Sequence, residues 1–153
     1  MRYLSLLLAV FGLALFACKD KSLSPEEQLQ EDIAQIEQYL KDKGLTAQST
    51  ASGLHYIITQ EGVGPHPTLQ NKVTIRYKGY FLDGSVFDQT NGTDTIAFLL
   101  SGLIEGWQEC IPLLTAGGKG TFLLPSALAY GPNGQGAIPP NTPLVFEIEL
   151  VSF

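Results

Sequence analysis

Aromatic side chains and one carboxylate are the residues of this chain that could form a functional site. The aromatic residues fall at predicted strand ends and in loops, and Asp88 directly follows one of them. They are Tyr77, Phe87, Phe98, Trp107, Tyr130 and Phe146. Core packing is the commonest role of an aromatic residue. An acid beside a buried phenylalanine is harder to explain in this way, because a buried carboxylate is costly unless it is hydrogen-bonded. Asp88 is therefore the first candidate for a functional group.

The remaining polar residues form none of the usual catalytic or metal-binding patterns. His55 and His66 have no neighbour at the spacing of a metal site or of a nucleophile and its base. Cys110 lies in an apolar segment, where a thiol behaves as a small buried hydrophobe. The chain has no Gly-x-Ser-x-Gly motif and no phosphate-binding loop. We therefore expect neither a metal nor a cofactor.

The length and net charge of the chain limit the kinds of partner that it can bind. With 153 residues, of which 44% are hydrophobic and 16% charged, the chain has room for one domain with a buried core. Its net charge of -6 argues against nucleic acid as a partner, because binding to the phosphate backbone requires a basic face.

The sequence before residue 52 predicts one amphipathic helix. Ser24 and Glu27 form a capping box, Pro25 stands at the first helical position and Gly44 supplies a stop signal, so the helix is predicted over residues 25–43. Its apolar residues form one narrow stripe. They are Leu29, Ile33, Ile36 and Leu40. The stripe would either pack on the domain that follows or form the seam of a homodimer. We favour packing, because the stripe spans too few heptads for a coiled coil.

From residue 54 the periodicity becomes that of β-strands. The predicted strands are 54–60, 72–82, 86–87, 96–100, 120–124 and 144–153. A short helix is predicted over residues 105–114, and Pro112 should distort its last turn. Residues 46–53 are predicted to be a connector. The sequence thus predicts an α+β fold, in which an antiparallel sheet carries one short helix across it and an N-terminal helix precedes both.

Several linked motifs between residues 52 and 153 resemble those of FKBP-type peptidyl-prolyl cis–trans isomerases. The motifs are VTIRYKGYFLDG at 73–84, VFD at 86–88, GW at 106–107, AYG at 129–131, IPP at 138–140 and LVFEIEL at 144–150. Their order and approximate spacing agree with the family. The resemblance implies a half-wrapped antiparallel sheet of five or six strands around the short helix, with an apolar pocket for a proline ring between them.

The resemblance also implies roles for single residues. Trp107 would be the pocket floor. The walls would be Tyr77, Phe87, Phe98, Leu103, Ile104 and Phe146. The hydroxyl of Tyr130 and the backbone N–H of Ile138 would donate hydrogen bonds to carbonyls of the bound peptide, and Asp88 would lie beside the rotating amide. The predicted catalytic residues are Tyr77, Phe87, Asp88 and Tyr130, and the others bind the substrate.

Three functions are compatible with this resemblance. The first is an active prolyl isomerase that acts on proline-containing, unfolded or partly folded exported proteins, and whose pocket could also take immunosuppressant macrolides. The second is a non-catalytic chaperone or adaptor that binds proline peptides in the same pocket. The third is a structural envelope lipoprotein with a decayed site, which the joint presence of the pocket residues disfavours.

The first eighteen residues predict an export signal. Arg2 is the only charged residue before Lys19, and residues 4–16 are almost entirely apolar. This stretch is shorter than the about 20 residues of a membrane-spanning helix and is typical of a signal peptide. Ala17 and Cys18 resemble a lipobox, which predicts cleavage after residue 17 and acylation of Cys18. Residues 18–51 would then be a tether and helix, on a protein held by lipid in the bacterial cell envelope, facing the periplasm or the exterior. An ordinary exported protein or an uncleaved anchor are the alternatives.

Overall fold

The structure is a computed structural model that describes residues 23–153. The predicted signal peptide, residues 1–17, and Cys18 lie outside the described residues. The helices are α1 (Pro25–Lys43) and α2 (Glu105–Cys110). The strands are β1 (Gln48–Ser49), β2 (His55–Gln60), β3 (Lys72–Phe81), β4 (Val86–Gln89), β5 (Ile96–Leu99), β6 (Lys119–Leu124) and β7 (Leu144–Ser152). Short 3₁₀ helices are Leu100–Gly102, Ile111–Leu113, Ser126–Leu128 and Gly131–Asn133.

The strands form one antiparallel sheet in the order β1-β2-β6-β7-β3-β4, and β5 also pairs with β3. The long strand β3 pairs with β7 on one side; on its other side it pairs with β5 over its first residues and with β4 near its end. The α+β architecture predicted from the sequence is confirmed. The sheet has one strand more than expected, because Gln48 and Ser49 of the predicted connector pair with β2.

The inner face of the sheet packs against α2 and forms the main core. Alternate residues of β3, β6 and β7 are buried there, among them Ile75, Phe122 and Ile148. The α2 helix is shorter than the predicted 105–114. It ends at Cys110 and tightens into a 3₁₀ turn, because Pro112 has no N–H with which to continue the α-helical hydrogen bonds.

Helix α1 has the predicted bounds and packs on the outer face of the sheet. Ser24 and Glu27 form the capping box, and Gly44 ends the helix in the left-handed conformation. Ile36 and Leu40 are buried against outward-facing residues of β6 and β7. The predicted packing role of the apolar stripe is therefore confirmed, while a homodimer through residues 25–43 stays a prediction.

The buried carboxylate of Asp32 also links α1 to the rest of the domain by a hydrogen bond. The Asp32 side chain is fully buried and accepts hydrogen bonds from the Gln28 amide and from the backbone N–H of Ser126, both at 2.7 Å. These bonds compensate part of the cost of removing the charge from water. No helix among residues 23–153 is long and apolar enough to cross a membrane.

Candidate active site

A hollow of about 200 Å³ opens between the inner face of the sheet and α2. Nine of the ten predicted site residues line it. They are Tyr77, Phe87, Asp88, Phe98, Leu103, Ile104, Trp107, Tyr130 and Phe146. The tenth, Ile138, lines an adjoining hollow. The structure therefore brings residues from four strands, helix α2 and two loops into one cavity, most of whose lining side chains are aromatic.

Trp107 is held in this cavity by edge-to-face contacts with other rings. Its ring centroid lies 5.1 Å from that of Tyr77, 5.2 Å from that of Phe146 and 6.5 Å from that of Phe98. The side chain is 6% exposed, and its Nε1 has no hydrogen-bond partner among residues 23–153. Aromatic pairs in this geometry stabilise each other beyond simple burial, so the indole is a rigid platform.

Phe87 lies across the backbone of Gly79 on the neighbouring strand. A methyl group added at Gly79 would come within 2.6 Å of the Phe87 ring and 2.9 Å of Phe146. The Phe87 ring also lies 5.7 Å from that of Phe146 and 5.1 Å from that of Phe81. Because Gly79 has no side chain, the Phe87 ring can pack directly against the backbone of β3.

Asp88 is exposed at the mouth of the cavity, so the cost of burying a carboxylate, which singled this residue out in the sequence, does not apply to it. Along β4 the side chains alternate, and the ring of Phe87 turns inward while Asp88 stays in contact with solvent. The Tyr77 hydroxyl donates to Oδ2 of Asp88 at 2.5 Å. Partial burial, with the Asp88 carboxylate as a second cause, raises the pKa of Tyr77 above its ordinary value. The phenol therefore remains a donor at neutral pH.

Tyr130 stands beside Asp88 with an available hydroxyl. It is half-buried, follows the 3₁₀ helix Ser126–Leu128 closely, and makes no hydrogen bond through its Oη to any of the described residues. Burial raises the pKa of Tyr130, and the nearby Asp88 charge adds to the effect. The hydroxyl is therefore protonated and ready to donate to a ligand.

The backbone N–H of Ile138, which the resemblance implied as a donor to the bound peptide, is not free. It donates to the carbonyl of Gln135 at 2.9 Å, and the N–H of Gln135 donates back to the Ile138 carbonyl at 2.9 Å. The backbone N–H of Ile104, by contrast, has no acceptor among residues 23–153. Ile104 precedes the first turn of α2 and lines the cavity, so its N–H is open to a ligand. The helix start at Glu105 was the sequence signal for this donor.

The adjoining hollow extends the cavity at its mouth. It measures about 220 Å³ and shares Phe87, Asp88 and Tyr130 with the first. Gln135, Ala137 and Ile138 form its outer side. Within residues 23–153, no cluster of histidine, cysteine and carboxylate side chains could hold a metal ion. The arrangement is one of rings and hydrogen-bond donors around an apolar space, which suits binding of a small ring attached to a peptide chain.

Comparisons with known proteins agree with this geometry. The family model described as FKBP-type peptidyl-prolyl cis-trans isomerase, FKBP_C, matches residues 64–151. The probable FKBP-type isomerase FkpA of Neisseria meningitidis is 44% identical over 119 residues, which are 75% of this chain and 44% of that protein. FkpA of Escherichia coli is 40% identical over 117 residues, 75% of this chain and 42% of that protein. This chain thus spans less than half the length of either relative.

A solved structure is similar over most of both chains. The crystal structure of a peptidyl-prolyl cis-trans isomerase from Pseudomonas syringae superposes with a TM-score of 0.71 at 33% identity, over 86% of this chain and 96% of that one. The resemblance found in the sequence motifs is confirmed, and the chain belongs to the family of FKBP-type peptidyl-prolyl cis–trans isomerases.

Proposed function

We propose that this protein is a peptidyl-prolyl cis–trans isomerase that accelerates the rotation of X–Pro bonds in exported client proteins. The observation that carries the proposal is the open aromatic cavity above Trp107, which the protein's own side chains leave unfilled. Its volume of about 200 Å³ lies below the about 300–1,000 Å³ of sites for drug-sized ligands and suits a single small ring.

The reaction needs neither a nucleophile nor a metal. Rotation about a peptide bond crosses a barrier of about 18–20 kcal/mol, and at an X–Pro bond it takes tens to hundreds of seconds. No covalent bond breaks. At the transition state the amide loses its resonance, so its carbonyl becomes less polar. A cavity lined mostly by aromatic rings therefore favours the twisted amide over the planar one, and this differential binding is what lowers a barrier.

Two hydrogen-bond donors would hold the flanking peptide while the amide turns. The Tyr130 hydroxyl and the Ile104 N–H both lie at the cavity without a partner among the described residues. They would bind carbonyls of the client on either side of the rotating bond. A rate gain of ~10⁴ corresponds to about 5.5 kcal/mol of transition-state stabilisation, which a cavity and two hydrogen bonds can supply.

A protease-coupled assay on a proline tetrapeptide tests the proposal. Wild type should accelerate cis-to-trans conversion, and Trp107→Leu or Asp88→Val should lower kcat/KM at least tenfold. For wild type and Asp88→Val, binding of the tetrapeptide is followed separately through the fluorescence of Trp107, the single tryptophan of the chain. Binding without acceleration would overturn the enzyme proposal and leave the non-catalytic chaperone or adaptor in its place. An immunosuppressant macrolide that places one small ring in the cavity should inhibit the wild-type rate by competition.

We propose further that the protein is held by lipid in the bacterial cell envelope, facing the periplasm or the exterior. The support is the lipobox-like Ala17-Cys18 behind the apolar stretch of residues 4–16. In cells fed a radiolabelled or clickable fatty acid, the full chain should take up label and sediment with membranes. Cys18→Ser should abolish both. Label that persists in Cys18→Ser would contradict the assignment.

A further inference from the structure

The cavity at Trp107 is the end of a longer series of hollows. The second hollow, described above, shares Ala137 with a third one of about 420 Å³. The third is floored by Phe81, whose ring contacts that of Phe87 at 5.1 Å between centroids. Ala137 therefore lies between the second and third hollows, and the contact of Phe81 with Phe87 places the third hollow behind a wall of the cavity at Trp107.

The series continues onto the surface of α1. A fourth hollow, also about 420 Å³, shares Gln35 and Leu82 with the third. It lies between α1 and the turn that connects β3 with β4. We call the third and fourth hollows together the flanking groove. Helix α1 thus forms one wall of a groove that leads away from the proline cavity.

The flanking groove has an apolar floor and an acidic rim. Its apolar side chains include Phe81, Leu82, Pro139 and Pro143. The charged residues that line it are Glu31, Asp42 and Asp83, and no lysine or arginine among residues 23–153 lines any of these four hollows. One cation lies nearby, since the ammonium of Lys43 is 5.8 Å from the ring centroid of Tyr39, which lines the fourth hollow. The lining therefore favours a ligand that has apolar side chains and carries positive charge.

We propose that the flanking groove binds the stretch of client polypeptide next to the isomerised proline, with a preference for segments that combine apolar residues with lysine or arginine. The proposal rests on the proposed function, because the proline in the cavity delivers the chain to the groove. A client bound by its prolyl ring must leave through the mouth of the cavity, where Asp88 and Tyr130 border the next hollow. The apolar floor accepts side chains of the extended chain, and the acidic rim attracts its charges.

Peptide pairs of opposite charge test the groove. An Ala-Leu-Pro-Phe core is extended by Leu-Lys-Leu-Lys or by Leu-Glu-Leu-Glu, on its N-terminal or its C-terminal side. Four extended residues reach at most about 14 Å beyond the core. Dissociation constants are measured by anisotropy of a labelled peptide, at low salt and at 0.5 M NaCl. On one of the two sides, the lysine extension should bind about fivefold more tightly than the glutamate extension, and salt should remove most of the difference.

Gln35 and Gln30 provide a matched pair of positions for charge changes. Both are exposed on α1, and each side-chain amide donates to a glutamate four residues earlier. Gln35 lines the groove and Gln30 lines none of these hollows. Gln35→Arg should weaken binding of the lysine peptide about threefold and Gln35→Glu should strengthen it by a similar factor, the size of one exposed charge pair. For the glutamate peptide both signs reverse. Gln30→Arg and Gln30→Glu should change neither peptide measurably.

The outcomes separate this inference from the proposed function. Acceleration of the bare tetrapeptide by wild type, with no charge effect at position 35, would overturn the groove and leave the isomerase standing. Charge-dependent binding without acceleration would support the groove and overturn the isomerase. Equal effects at positions 30 and 35 would mean that the preference for the lysine peptide comes from the net charge of the protein, and would overturn the groove. A concentration-dependent dimer that the Gln35 variants disrupt would assign the groove to a second copy of the chain and overturn the inference.

Discussion

The Asp32 carboxylate in the middle of α1 accepts a hydrogen bond from the backbone N–H of Ser126 at 2.7 Å. Ser126 begins the 3₁₀ helix that leads to Tyr130, and its N–H has no capping side chain from its own segment. Asp32 lies before the region matched by the family model, residues 64–151. Helix α1 therefore supports a wall of the candidate active site as well as covering the outer face of the sheet.

Substitution of Asp32 should lower the free energy of unfolding more than substitution of an exposed aspartate in the same helix. Asp32→Ala removes the bond to Ser126 and leaves a buried N–H unpaired, so we expect the free energy of unfolding to fall by about 2–3 kcal/mol in urea titrations. The control is Asp42→Ala in the same helix. Asp42 accepts from Gln38 at 2.7 Å, as Asp32 accepts from Gln28, but is exposed. Equal losses in the two variants would contradict the supporting role of Asp32.

The local elements were predictable because their signals are local. Helix α1 follows from a capping box, a stop glycine and a stripe of apolar residues, all within twenty-one residues. Alternation in β3 and β7 identifies both strands and the faces that they bury. The cavity was predictable as a set of residues, since the motifs that carry the resemblance contain its aromatic side chains.

The remaining features depend on contacts between distant parts of the chain. Asp32 and Ser126 are 94 residues apart, so no local pattern in α1 identifies the partner of this aspartate. Asp88 is exposed because it lies on β4, a strand at the edge of the sheet, and the position of a strand within a sheet is set by contacts between distant residues. The pairing of Ile138 with Gln135 arises inside an irregular Gly/Pro loop, where hydrogen bonds follow no period. The two-residue strand β1 is too short for alternation to appear.

A methyl group at Gly79 should damage the cavity. Gly79→Ala places a Cβ within 2.6 Å of the Phe87 ring, which would have to move toward the cavity that it borders. We expect kcat/KM on a proline tetrapeptide to fall at least tenfold, with a loss of about 1–3 kcal/mol in the free energy of unfolding from overpacking. Gly102→Ala is the control, because nothing lies within 4 Å of its added methyl group. Full activity in Gly79→Ala would disprove the tight contact.

Removal of the Tyr77 hydroxyl should affect activity more than removal of a hydroxyl elsewhere. Tyr77→Phe keeps the ring against Trp107 and deletes the bond to Asp88 at the cavity mouth. We expect kcat/KM to fall about threefold to tenfold, as for one hydrogen bond of about 1 kcal/mol. Tyr56→Phe deletes a bond to Gln48 in β1, away from the site, and should leave kcat/KM unchanged. A similar loss in both variants would mean that the Tyr77 hydroxyl serves stability alone.

The stability of the protein should depend on Tyr77 at alkaline pH. Burial and the Asp88 carboxylate raise the pKa of the folded-state phenol above its ordinary value near 10. The folded state therefore holds this proton more tightly than the unfolded state does. The resulting stabilisation is fully present below pH 10 and is lost as pH rises through the folded-state pKa. In urea titrations at pH 8, 10 and 11.5, the free energy of unfolding should decline more steeply with pH for wild type than for Tyr77→Phe. Because the phenol stays protonated over this range, the isomerase rate should be constant from pH 6 to 9. Parallel declines in the two proteins would show that the hydroxyl has the same pKa in both states.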